Sequence, residues 1–184
     1  DIRSQRKNVL QQFRRRDFKR IYEAGCGGAT TLGVARQLFP QAELVGGDLS
    51  PAMLRNGHFA SEMMGLGITF RQEDATKVAE ADNSVDAVIS YAVHHEMPPA
   101  VSEAMIKEMF RILAPGGEIV ISDPPPFRAV GPLHAVLLDT LREVVSRRSA
   151  GSRRSSRRAP SGLAAARARR RPWPSWRGAW RCRR

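Results

Sequence analysis

Short apolar runs alternate with longer amphipathic stretches along most of this chain. The runs lie at about 20–24, 42–47, 68–72, 85–90 and 118–122. Each is brief, rich in aliphatic or aromatic residues, and bounded by Gly, Pro, Asn or Asp, which predicts a strand. Between them apolar positions recur every three or four residues, the period of a helix. The stretch 99–113 carries Val101, Met105, Ile106, Met109, Ile112 and Leu113 on one stripe. Ser50 followed by Pro51 predicts an N-cap and a first-turn proline, and Gly65 and Gly67 end that helix near Met64. A further helix starts at Thr30 or Thr31 and stops near Pro40. Amphipathic helices are also predicted over 5–19 and 132–145. His58 and His134 read as ordinary helix residues, and the run Arg14-Arg15-Arg16 as a solvated face.

Strands alternating with helices of this length predict an α/β fold, a Rossmann-like doubly wound and mostly parallel sheet with helices on both faces. The run 85–90 is apolar enough to lie centrally. In such sheets ligands bind beyond the carboxyl ends of the strands. Glu23, Asp48, Asp74 and Ser90 all fall at such ends, and their convergence points to a site. Gly25-Cys26-Gly27-Gly28 follows the first strand, where glycines allow a tight turn and close approach of a ligand. Asp48 ends the second strand, suited to a pair of ribose hydroxyls. The dinucleotide fingerprint is G-x-G-x-x-G. Gly25 and Gly27 fit it, but Thr30 takes its last position. Three strand-end carboxylates suit a ligand with cationic character better than a pyrophosphate. S-adenosylmethionine carries a sulfonium, an ammonium, a ribose and an adenine, and no phosphate.

These segments resemble the class I S-adenosylmethionine-dependent methyltransferases over roughly residues 20–123. Glu23-Ala24-Gly25-Cys26-Gly27 is similar to the family's acidic-x-Gly-x-Gly loop. The segment 44–54, Leu-Val-Gly-Gly-Asp-Leu-Ser-Pro-Ala-Met-Leu, resembles its second segment. Glu73-Asp74-Ala75, the run 83–90 and the turn 111–117 resemble later ones, in the right order. The resemblance implies S-adenosyl-L-methionine as cofactor. It implies that Glu23 and the backbone at Gly25, Cys26 and Gly27 hold the methionine end, and that Asp48 takes the ribose hydroxyls. Leu49 and Met53 would pack on the adenine, Asp74 would accept from its amino group beside Ala75, and Ser90 would lie near the sulfonium. Ala29 stands where the family often has a third glycine. Gly47 before Asp48 is also unusual and is expected to leave its strand less stiff.

Methyl transfer from a sulfonium needs alignment above all, and a base only where the acceptor must lose a proton. The loop 91–98 follows the fourth strand. In it His94 or His95 is a candidate base, with Glu96 orienting it; the alternative is a histidine that packs in the loop without touching the proton. His-His-Glu also admits a metal reading. Adjacent residues on one short loop rarely aim at one ion and no further ligand cluster is evident, so no metal is expected.

The chain has 184 residues and a formal net charge of +12, unevenly spread. Residues 1–141 carry 15 Lys and Arg against 17 Asp and Glu, while residues 142–184 carry 15 Arg and one acid. The body is therefore slightly acidic, and the basic character belongs to the tail. Two domains follow: 1–145 as the cofactor-binding unit, and 146–184 as an Arg-rich low-complexity tail. That tail reads as disordered, as a nucleic-acid arm, or as the product of a shifted reading frame, since Arg without Lys, with Ala, Ser, Pro, Gly and Trp, is what a GC-rich gene yields out of register. The closing antiparallel strand pair expected of the family is not recognisable, so the last parallel strand is expected to present an open edge. Opening on Asp1, the chain reads as a fragment or a trimmed chain. Two cysteines make no disulfide framework, no apolar run approaches the ~20 residues of a membrane span, and a cytoplasmic setting is expected. The leading reading is a methyltransferase acting on a small-molecule acceptor. The alternatives are a nucleic-acid methyltransferase using the tail, and an inactive product of a damaged gene.

Overall fold

Ile21, Tyr22, Leu44, Val45, Val88 and Ile89 come from three separate runs and are all fully buried. They are the middle of one sheet. The computed structural model describes residues 1–123 and the strand at 180–183. Its elements are α1 (Ile2–Leu10), β1 (Arg20–Ala24), α2 (Thr30–Leu38), β2 (Glu43–Asp48), α3 (Pro51–Met64), β3 (Ile68–Gln72), β4 (Val85–Tyr91), a 3₁₀ turn (His94–Glu96), α4 (Pro99–Ile112), β5 (Leu113–Ser122) and β6 (Trp180–Arg183). The strand order is β3-β2-β1-β4-β5-β6. The first five strands are parallel, as the alternating pattern predicts.

Successive strand residues point to opposite faces. Ile21, Leu44, Ala87, Ile89 and Val120 pack on one side with Leu32, Val34 and Ala35 of α2 and Leu54 of α3. Tyr22, Ala24, Val45, Val88 and Ile119 pack on the other with Met105, Ile106, Met109 and Phe110 of α4. Helices on both faces leave only the strand ends open to ligands, which is what puts a site there.

The amino-terminal helix differs from the predicted 5–19. It begins at Ile2, because Asp1 Oδ1 accepts from the backbone N–H groups of Arg3 at 2.7 Å and Ser4 at 3.0 Å. It ends at Leu10, because Phe13 and Phe18 turn inward against Phe39, with centroids 5.0–5.9 Å apart. The buried carboxylate of Glu118 then accepts from the backbone of Arg14 at 2.8 Å and Arg15 at 3.3 Å. Arg14-Arg15-Arg16 is thus a connector whose backbone is held by a strand carboxylate, with the Arg14 and Arg16 side chains exposed.

The predicted turn at 115–117 lies inside β5 as a bulge. Register steps from Val85↔Leu113 to Ala87↔Glu118, with Gly116 at φ +77°. Beyond β5 the expected open edge carries one short antiparallel strand, β6, pairing Ile119↔Cys182 and Val120↔Arg181. A ladder uses backbone groups, so an arginine-rich segment can supply it. The predicted helix 132–145, His134, the boundary at 145 and the rest of the tail lie outside the described residues.

Candidate functional site

Strand order reverses between β1 and β4, and a crevice opens at the carboxyl ends of a parallel sheet at such a point. A cleft of about 570 Å³ lies there. Its walls are the glycine turn after β1, the segment 48–53 after β2, residues 73–76 after β3, the loop after β4, and Arg6 and Val101 from α1 and α4. Of the ten residues expected at the cofactor, nine line it: Glu23, Gly25, Cys26, Gly27, Asp48, Leu49, Met53, Asp74 and Ala75. Ser90 is fully buried and does not.

The glycine turn is held by its neighbours. Gly25 and Cys26 donate their backbone N–H groups to the Gly47 carbonyl at 2.9 and 3.0 Å. Gly25 sits at φ +70°, and a Cβ there would meet Val93 Cγ2 at 2.7 Å. Ala29 also sits in the left-handed region, at φ +58°, where the resembling family often has glycine. Asp48 ties this turn to α3. Its Oδ2 accepts from Gly27 N and its Oδ1 from Ser50 N, both at 2.8 Å. Carboxylate oxygens hold more than one lone pair each, so the same group can accept from ligand hydroxyls while its orientation stays fixed.

Glu23 is the most costly residue of the site. It is 1% exposed, and its Oε2 has no hydrogen-bond partner among the described residues. Burial pushes its carboxyl up to about 8, against donation from the Thr31 hydroxyl, the nearby Arg6 charge and the Leu32 backbone N–H. An unpartnered buried carboxylate oxygen in a cleft wall is a place for a cation or donor of a ligand. The residues present therefore fit the ammonium-bearing end of S-adenosylmethionine.

Part of the cleft wall is apolar. Leu49 is 65% exposed and Met53 50%, both on the cleft. Large exposed side chains on a concave wall suit a flat aromatic ligand. On the same cleft Asp74 Oδ1 accepts from the Thr76 backbone and hydroxyl at 2.8 Å each, which lowers its carboxyl pKa. Oδ2 takes no partner among the described residues. Neighbouring Glu73 is not free in this way: its Oε1 accepts from the Tyr22 hydroxyl at 2.7 Å and its Oε2 from Ala79 N at 2.9 Å.

The two histidines stand apart from the cleft wall. His94 is 1% exposed, with Nε2 3.2 Å from Ser90 Oγ and Nδ1 2.8 Å from Ser102 Oγ. Burial lowers its pKa, favouring neutral imidazole. This bond also explains Ser90, whose hydroxyl is turned to His94. His95 is exposed, its Nδ1 2.8 Å from Asp123 Oδ1 and its Nε2 3.6 Å from Glu96. Asp123 fixes the whole turn by accepting from the backbone of Val93, His94 and His95. Glu96, not a histidine, lines the cleft. Among the described residues no group of three or more His, Cys, Asp or Glu could hold a metal ion.

The loop after β4 brings Tyr91, Val93 and Met97 to the cleft; pattern reading missed Arg6 and Val101, which also line it. Arg6 looked like one of many charges on an amphipathic helix. Only the packing of α1 against α2 brings it here, where its Nε donates to Thr31 Oγ1 at 3.1 Å and its guanidinium lies 4.5 Å from the Tyr91 ring centroid. Cys26 is a buried free thiol, its pKa raised by burial.

Residues 21–117 match the sequence model of a family described as "Methyltransferase domain". A demethylmenaquinone methyltransferase from Thermus thermophilus is 33% identical over 121 residues, 64% of this chain and 54% of that protein. The chain spans about half the length of the curated relatives it matches. Among solved structures, the [4+2]-cyclase SpnF superposes with TM-score 0.65 at 22% identity, covering 77% of this chain and 56% of that one. A geranyl diphosphate C-methyltransferase from Streptomyces coelicolor A3(2) superposes with TM-score 0.64 at 16% identity, covering 76% of this chain and 59% of that one. At such identities the two structures speak for the fold alone.

Proposed function

The chain belongs to the methyltransferase-domain family, whose cofactor is S-adenosyl-L-methionine, and from that premise we propose that it transfers a methyl group to a small organic acceptor. The observation that carries this reading is the unpartnered, buried Oε2 of Glu23 on a cleft that the pinned carboxylate of Asp48 also lines. When bound, the cofactor supplies a methyl group already activated on a sulfonium. Glu23 and the turn 25–27 would hold its amino-acid end. Asp48 would accept from the ribose hydroxyls, while Leu49 and Met53 cover the adenine and Asp74 with Ala75 reads its edge. The apolar residues Val93, Met97 and Val101 favour an acceptor with an apolar body, and demethylmenaquinone, in the name of the Thermus relative, is of that kind.

Ser90 acts at one remove in this proposal, by holding His94 and with it the loop that faces the acceptor. Of the two candidate bases, His95 is the better supported. Its Nε2 faces Glu96 on the cleft, and Asp123 fixes its tautomer. A cytoplasmic setting suits the buried free thiol of Cys26. No described helix is long and apolar enough to cross a membrane.

The cofactor is tested by calorimetry of the full chain with S-adenosylmethionine and S-adenosylhomocysteine. Absence of heat with both would sink it. Acceptor class is tested with cofactor labelled in the methyl group, against apolar small molecules, RNA and DNA. Label in nucleic acid alone would overturn the small-molecule assignment.

A further inference from the structure

Arg6 and Glu23 share one cleft wall, and a single hydroxyl connects them. Arg6 Nε donates to Thr31 Oγ1 at 3.1 Å, and the Thr31 hydroxyl in turn donates to the Glu23 carboxylate. One atom at each end is left over. Glu23 Oε2 is buried without a partner. On Arg6, Nε is used and Nη1 makes only a 3.4 Å bond to the Ile2 carbonyl, while Nη2 takes no partner among the described residues. The guanidinium is not loose, since it lies 4.5 Å from the Tyr91 ring centroid and both residues line the cleft. A planar cation held by a ring face and one hydrogen bond has its remaining N–H edge set in advance, and that edge matches a carboxylate.

We propose that Arg6 and Glu23 together read an α-amino acid zwitterion, the methionine end of the cofactor, with Arg6 taking its carboxylate while Glu23 takes its ammonium. The proposal rests on the cofactor reading above and extends it to a residue outside the glycine-turn segment. It gives α1 a purpose beyond covering the sheet. Thr31 sets the distance between the two side chains, and α1 must be docked on α2 for the carboxylate subsite to exist.

The test compares S-adenosylhomocysteine with its analogue lacking the carboxylate, by titration calorimetry on the full chain. Wild type is expected to prefer the carboxylate-bearing ligand by about tenfold or more, the range of a hydrogen bond between charged groups. Arg6→Gln should lose most of that preference and bind the carboxylate-free ligand within about twofold of wild type. Arg6→Lys, which keeps the charge without the fork, should fall between them. An unchanged preference in Arg6→Gln, equal weakening toward both ligands, or no preference in wild type would each overturn the assignment. Failure of wild type to bind either ligand is a different result, and would remove the cofactor reading itself.

Discussion

The Tyr22 hydroxyl reaches Glu73 Oε1 at 2.7 Å by passing over Gly47. A Cβ on Gly47 would lie 2.0 Å from that hydroxyl and 2.8 Å from the carboxylate oxygen. The glycine that looked like a weak point in β2 is therefore the gap through which β1 is tied to the segment after β3. Its neighbour Gly46 makes room on the opposite face, where a Cβ would meet Cys26 Sγ at 2.7 Å.

Gly47→Ala should accordingly destabilise the protein by roughly 2–3 kcal/mol, through overpacking and the broken hydrogen bond. Tyr22→Phe removes the atom in the way. The cost of Gly47→Ala should then shrink by about 1 kcal/mol or more when it is made on top of Tyr22→Phe. Urea unfolding of wild type, the two single variants and the double variant measures this. Additive costs would mean that the crossing is not what excludes a side chain at 47.

The parallel sheet was legible because it depends on local pattern, and nine of the ten expected residues line the cleft because strand ends and the family resemblance both point there. Strand periodicity places Glu23 and Asp48, while Leu49 and Met53 were expected from the resemblance of segment 44–54 to the family. Arg6 and Glu118 were not legible, because their partners lie 25 and more than 100 residues away, at Thr31 and at Arg14 and Arg15. Ser90 was read by its strand end alone. Its hydroxyl bonds His94 four residues on, which no period in the sequence reveals. The end of α1 was missed for a similar reason: Phe13 and Phe18 fit a helical stripe, and only Phe39 shows that they turn inward.

Asp48 holds the glycine turn and α3 with one carboxylate. Asp48→Asn keeps an acceptor for one of the two N–H groups and turns an NH₂ toward the other. A loss of roughly 1–2 kcal/mol in stability is expected, with affinity for S-adenosylhomocysteine reduced by about tenfold or more. Thermal unfolding and calorimetry read the two effects separately. A variant that loses stability and keeps full affinity would remove Asp48 from the ribose.

His94 is buried between two serine hydroxyls, and burial lowers its pKa below the usual 6.5. The sign follows from linkage. A base whose folded pKa is depressed contributes stability that is present above 6.5 and lost as pH falls through the folded value. His94→Leu leaves Ser90 and Ser102 without that partner and should cost roughly 1–3 kcal/mol at about pH 7.5. The gap between variant and wild type should narrow toward about pH 5, where wild type must protonate or release the ring. Urea unfolding at both pH values checks it, and a gap independent of pH would contradict the buried neutral imidazole. His95→Ala, at an exposed position bonded to Asp123, should change stability little.

Glu23 links cofactor affinity to pH with the opposite sign. Burial pushes its carboxyl up to about 8, above its unfolded value of 4.5. A raised acid holds its proton in the fold, so its contribution to stability is complete below 4.5 and is lost as pH rises through about 8. Glu23→Gln should therefore make the ligand-free protein more stable at about pH 9, by on the order of 2–4 kcal/mol. The same substitution should weaken S-adenosylhomocysteine, because the ammonium of the ligand needs the carboxylate. In wild type, affinity should rise between about pH 6 and 8, by up to about tenfold per unit, as the carboxyl gives up its proton more easily. Binding near neutral pH should then release close to one proton, seen as a calorimetric heat that varies with the ionisation heat of the buffer. Glu23→Gln should bind with a heat that depends little on the buffer and an affinity that is flat over the same range. Flat affinity in wild type, with no proton released, would mean that Glu23 does not meet the ammonium.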